Sequence, residues 1–183
     1  MLNKRVKLIT SLSFVIVSCF WAVPGKGIGD EALYKKYTDP NGRFSFEYPA
    51  TMNVQSSNAD EVKVIHPGAS FRITVFVEQR QGKSKLTAAD LLALSKKRLQ
   101  EEMKNVSVLG EGKLPSLEGS QGYVAVSFTD KKGMQLVQMV QYYVAEDRFL
   151  QMTISDRPEG FKNLQTVIQK VHQSLKILNP KLK

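Results

Sequence analysis

Cysteine is almost missing from this chain: Cys19 is alone among 183 residues, beside two histidines and one tryptophan. One thiol excludes a disulfide framework, and its place near the N-terminus leaves the rest of the chain without a catalytic thiol. The histidines are no better placed for chemistry. His66 sits in a His-Pro-Gly turn and His172 beside Val171 on a helical stretch, with no His or Cys at ligand spacing, so neither a zinc site nor another metal centre is expected. Both read as surface or boundary residues. Long apolar runs are absent too. The longest charge-free apolar stretch, Leu8 to Val23, has 16 residues, short of a confident membrane span. No Arg-rich run interleaved with aromatics occurs, which argues against nucleic acid as a partner.

Phosphate and acyl-transfer motifs are missing as well. Gly25-Lys-Gly-Ile-Gly29 follows no strand and is not closed by Lys-Ser/Thr, so it is a linker and no nucleotide loop. Gly119-Ser-Gln-Gly122 lacks the residue on each side of Ser that a nucleophile elbow needs, and a strand follows it where a phosphate site needs a helix. Asp130 and the Glu146-Asp147 pair fall in short turns without the alternating oxygen ligands of a calcium loop. Neither catalytic residues nor a cofactor site are read from the chain.

What the N-terminus does have is a basic head, with Lys4, Arg5 and Lys7, followed by an apolar run from Leu8 to Ser18. This is the form of an export signal. Two routes of processing stay open. Ile16-Val-Ser-Cys19 resembles a lipobox, making 1–18 a lipoprotein signal and Cys19 the candidate lipidation site; ordinary cleavage near Gly25 makes 1–25 a signal peptide. Without the three cations of the head, 23 basic residues face 17 acidic ones, so the charge falls from +9 to +6. That excess suits anionic lipid or an acidic partner.

Residues 26–36 read as a Gly-rich tether, 37–178 as one domain and 179–183 as a tail. Asp39-Pro-Asn-Gly42 is turn chemistry. Phe44, Phe46 and Tyr48 then alternate with polar residues, as do Phe71, Ile73, Val75 and Val77, so both stretches are strands with one buried face. Short strands are expected at 52–55 and 61–65. Thr87 and Asp90 have capping-box spacing for a helix whose apolar face runs through Leu92, Leu99 and Met103. Lys96, Lys97 and Arg98 fall on its solvent side and form the candidate interaction patch. Residues 106–109 read as a strand and 110–122 as a loop. Three β-rich runs then form a meander: 123–129, 136–144 and 149–154. In the middle run Leu136, Val140, Tyr142 and Val144 point one way and Val137, Met139 and Tyr143 the other, which requires cover on both faces. A stripe from Phe161 through Leu164, Ile168, Val171 and Leu175 to Leu178 predicts one closing helix. The fold class is α+β, an α/β/α sandwich with a largely antiparallel central sheet.

Gly42-Arg-Phe-Ser-Phe-Glu-Tyr-Pro49, the strand at Phe71 to Val77, the mid-chain helix, Gly119-Ser-Gln-Gly-Tyr123 before a hairpin and the closing helix together resemble the PsbP-like and DcrB-like proteins over residues 34–178. The resemblance implies an exported or lipid-anchored protein of the periplasm or lumen, with no catalytic residues and no cofactor. Its best-known member is an extrinsic subunit of photosystem II, the role implied if the host is oxygenic. The expected function is a monomeric, non-catalytic envelope domain that binds a membrane surface or helps assemble a membrane-associated complex. The alternative is a small-ligand or hydrolytic site in a cleft between sheet and helix.

Overall fold

The computed structural model describes residues 33–58, 60–80, 86–113, 120–145 and 147–178. Five strands come first: β1 (Tyr34–Thr38), β2 (Phe44–Pro49), β3 (Asn53–Asn58), β4 (Glu61–Ile65) and β5 (Arg72–Gln79). Helix α1 (Ala88–Glu102) leads to β6 (Lys104–Lys113), β7 (Ser120–Thr129), β8 (Gln135–Val144) and β9 (Arg148–Asp156). Helices α2 (Pro158–Asn163) and α3 (Gln165–Ser174) and the short β10 (Lys176–Ile177) complete it. Seven strands form one antiparallel sheet in the order β3-β4-β5-β9-β8-β7-β6, and β1-β2-β10 form a second, smaller one.

The two-sided pattern of β8 is met as expected. Val140, Tyr142 and Val144 pack with Val124, Val126 and Phe128 of β7 beneath Ala88, Leu91 and Leu92 of α1. On the opposite face Val137 and Tyr143 join Leu150, Met152 and Ile154 of β9, and the cover there comes from Phe161, Val167, Ile168 and Val171 together with Phe44 and Phe46 of the small sheet. The second sheet was not legible beforehand, because nothing in the alternation of Phe44, Phe46 and Tyr48 says which layer a strand joins. The predicted α1 is capped as its sequence requires: the Asp90 N–H donates to Thr87 Oγ1 at 3.3 Å and the Thr87 N–H to Asp90 Oδ2 at 2.8 Å.

Three boundaries differ from the sequence reading. Tyr34, Lys35 and Lys36, taken as tether, begin β1, whose partner β2 supplies hydrogen bonds that a polar, uneven stretch does not advertise. Residues 110–113 and 120–122, taken as loop, extend β6 and β7; bulges in β6 absorb the glycine-rich sequence. The single closing helix is two helices with a break at Leu164, and the chain then turns so that Lys176 and Ile177 pair with Ser45 and Phe44. The apolar stripe still faces inward, with Phe161, Ile168 and Val171 buried.

At the start of α2, Asp156 is 4 % exposed, accepts from Ser70 Oγ and takes the Arg157 N–H at 2.7 Å. A Cβ on Gly160 would lie 2.7 Å from its Cγ and collide with Oδ2. Gly160→Ala gains about 1 kcal/mol of helix propensity, but it displaces a buried carboxylate whose charge-assisted bonds are worth about 2–3 kcal/mol. The clash wins. The expected net loss is about 1–2 kcal/mol in urea unfolding; a stabilised Gly160→Ala would show that Asp156 moves freely.

Candidate interaction surface

The solvent face of α1 carries the predicted patch, and the structure gives each of its cations a carboxylate. Lys96 Nζ lies 2.5 Å from Glu111 Oε2, Lys97 Nζ 3.9 Å from Glu101 Oε1, and Arg98 Nε 2.7 Å from Glu102 Oε1. The last two are i,i+4 pairs, a spacing that keeps opposite charges on one helix face. Arg98 holds Glu102 below the usual carboxylate range through its hydrogen bond, and Glu102 raises Arg98 in return. Lys97 and Arg98 are exposed and Lys96 is half-buried, and the positive charge is matched residue for residue. Exposed pairs of this kind contribute little to stability. Cys19, the candidate lipidation site, lies outside the described residues.

Beside α1 the same sheet face is half open. Along β5 and β9 the side chains of Ile73, Val75, Leu150, Met152 and Ile154 are buried, whereas those facing the other way, Thr74, Phe76, Phe149, Gln151 and Thr153, are only half-buried. A chain of hydrogen bonds runs onto this shelf from the helix. Ser95 Oγ lies 2.7 Å from Tyr142 Oη, the Tyr142 hydroxyl donates to Gln151 Oε1 at 2.8 Å, and Gln151 Nε2 donates to Thr153 Oγ1 at 3.0 Å. Burial lifts the Tyr142 phenol above its usual range, with Ser95 opposing. The sequence reading missed this network, since Ser95 and Tyr142 are 47 residues apart.

The histidines fall at the boundary positions expected of them, yet His172 is more enclosed than the reading implied. Its Nδ1 donates to Gln141 Oε1, while Nε2 is buried without a hydrogen-bond partner among the described residues. Desolvation drops its pKa to about 4. A signal was present: Gln141 shares the parity of Val137, Met139 and Tyr143 and is 2 % exposed. A glutamine on an apolar face needs a polar partner. Among the described residues no His, Cys, Asp and Glu converge in a group able to hold a metal. No helix of the described residues is long and apolar enough to cross a membrane.

No family model and no curated protein matches the sequence. Solved structures do. The chain is similar to the cyanobacterial PsbP (CyanoP) of Synechocystis, with a TM-score of 0.64 and 12% identity over 85% of this chain and 97% of that one. It is similar to the Saccharomyces cerevisiae Ran-binding protein Mog1p, at 0.59 and 11% over 81% and 97%. LpqN of Mycobacterium tuberculosis, described as involved in cell envelope biogenesis, superimposes at 0.58 and 12% over 86% and 100%. The architecture of this chain, helices against both faces of a mainly antiparallel sheet, is the PsbP-like fold.

Proposed function

We propose that this protein is a non-catalytic, exported envelope domain that binds, or helps assemble, a membrane-associated complex. The observation that carries the reading is the pairing of an export-type N-terminus, Lys4 to Ser18, with a domain of PsbP-like fold. CyanoP and the cell-envelope protein LpqN have that fold. Buried polar groups are engaged in holding layers together: Arg43 with Asp39, Asp156 with Ser70, Gln141 with His172. The cleft alternative keeps one observation in its favour, the Ser95–Tyr142–Gln151–Thr153 chain on the open shelf.

The test is fractionation of cells producing the full chain, with mass spectrometry of the mature N-terminus and cross-linking in the membrane fraction. A diacylglyceryl Cys19, or a start near Lys26 with recovery in cross-linked membrane complexes, is the expected result. An uncut chain that stays in the cytosol and cross-links to nothing in the membrane would sink the proposal. Alanine at Lys96, Lys97 and Arg98 separates the α1 patch from other surfaces: unchanged fractionation and pull-down remove that patch.

A further inference from the structure

With the α1 patch matched by Glu101, Glu102 and Glu111, other exposed cations remain, and the sheet register collects five of them. Lys104 opens β6 opposite Thr129, and Thr129 pairs with Gln135 across the turn that bears Lys131 and Lys132. On β8, Val137 pairs with Asp156, so Arg157 emerges at the same end. Ser155 pairs with Arg72, the first residue of β5. Lys104, Lys131, Lys132, Arg157 and Arg72 are all exposed. From β6 to β5 is four strand spacings, about 19 Å. The array is therefore a broad edge, with no concavity built around a ligand.

The carboxylates of that end are already engaged. Asp130 accepts the Lys132 and Met134 N–H groups, each at 2.8 Å; Asp156 is buried against Ser70; Glu101 and Glu102 pair with Lys97 and Arg98. Helix α2 adds one charge of each sign, Glu159 and Lys162. The opposite end carries cations and carboxylates alike: Asp60 pairs with Arg43 and Asp147 with Arg148, with Glu78, Arg80 and Lys113 beside them. A further observation bears on the basic end. The described chain enters at Leu33, whose carbonyl accepts from Ala50, three residues before Asn53 starts β3 opposite Ile65, and Ile65 pairs with Arg72. Leu33 therefore lies at the basic end of the sheet.

We infer that this end of the sheet docks on an anionic bilayer surface, strands upright, with Lys104, Lys131, Lys132, Arg157 and Arg72 over the headgroups. The inference rests on the membrane-facing function proposed above and assigns it a surface. A flat anionic lipid layer is favoured over nucleic acid because no exposed aromatic among the described residues accompanies these cations for base stacking. Each basic residue near such a surface is worth roughly fivefold in affinity, less at high salt.

The experiment uses the full chain with vesicles of phosphatidylcholine alone or with 30 mol% phosphatidylglycerol (about a third anionic lipid, enough for a strong surface potential). Lysine acetylation read by mass spectrometry reports the contact face. Expected is protection of Lys104, Lys131 and Lys132, relative to Lys97 and Lys63, on the anionic vesicles only, lost in high salt. The triple variant K104E/K131E/K132E should bind anionic vesicles at least tenfold more weakly while unfolding at the parent's urea midpoint. Protection centred on Lys96 and Lys97, equal binding to both vesicles, or saturable binding to duplex DNA or polyglutamate in place of lipid would overturn the inference. Failure of the functional reading is seen separately: the triple variant still entering cross-linked membrane complexes leaves that reading standing, whereas a parent chain absent from membranes removes it.

Discussion

Arg43→Ala should lower the stability of the fold by about 3–5 kcal/mol, the cost of leaving a buried charge without its partner. Arg43 is 7 % exposed and Asp39, in the Asp-Pro-Asn-Gly turn, 4 %. The guanidinium holds both Asp39 oxygens, Nε to Oδ2 at 2.8 Å and Nη2 to Oδ1 at 2.9 Å, and extends Nη1 to Asp60 at 2.6 Å. Asp60 in turn accepts the Val77 N–H on its carbonyl, and the Arg43 carbonyl takes the Leu178 N–H. One side chain therefore ties the small sheet to the β3–β4 turn of the large one. Burial pushes the Asp39 carboxyl up, but the hydrogen bonds and charge of Arg43 outweigh it and hold the carboxyl below its usual range. Arg43→Lys supplies charge without the fork and should recover only part of the loss. Asp39→Asn with Arg43→Met removes both charges together and should cost less than Arg43→Ala alone. Urea unfolding at pH 7 measures all three. An Arg43→Ala midpoint within about 1 kcal/mol of the parent would mean that water reaches Asp39 and the joint is not buried.

How much of this was readable beforehand divides by range along the chain. Period-2 and helical patterns placed β4 and β5, the meander, the α1 cap and both apolar stripes, because each is decided by residues within a few positions of one another. The two faces of β8 were assigned residue by residue, since parity alone fixes them. What escaped was set by distance in sequence. Arg43 sits beside an ordinary turn motif, and its contacts come from Asp60 and from Leu178, both distant in sequence. The pairing of β10 with β2 joins Lys176 to Ser45, 131 residues apart. Of the candidate sites, Lys97 and Arg98 are exposed and Lys96 half-buried, and their neutralisation required Glu111 from a strand as well as the visible i,i+4 glutamates. The basic edge was invisible for the same reason: Arg72, Lys104, Lys131 and Arg157 become neighbours only through strand order.

His172 makes the fold acid-sensitive, and the sign follows from burial. Enclosed beside Gln141, its imidazole has a folded pKa of about 4 against an ordinary 6.5. Above pH 7 both folded and unfolded states hold it neutral and stability is complete. As pH falls through 6.5 the unfolded chain takes up the proton first, so stability is lost progressively until the folded form also protonates near pH 4. The full loss is about 3 kcal/mol, of which about 2 has occurred by pH 5. In that upper part of the window the carboxylates held low, Asp39, Asp90, Glu102 and Asp147, are still ionised and add no slope. The burial is local: Nδ1 spends its proton on Gln141, and among the described residues a proton on Nε2 finds no acceptor. His172→Leu therefore flattens the stability profile between pH 7 and 5, whatever it does to the plateau, and Gln141→Leu lowers the plateau by orphaning Nδ1. Urea midpoints taken in half-unit steps give both quantities. Parallel profiles for parent and His172→Leu would show that the ring is hydrated in solution and that the α3–β8 contact is open.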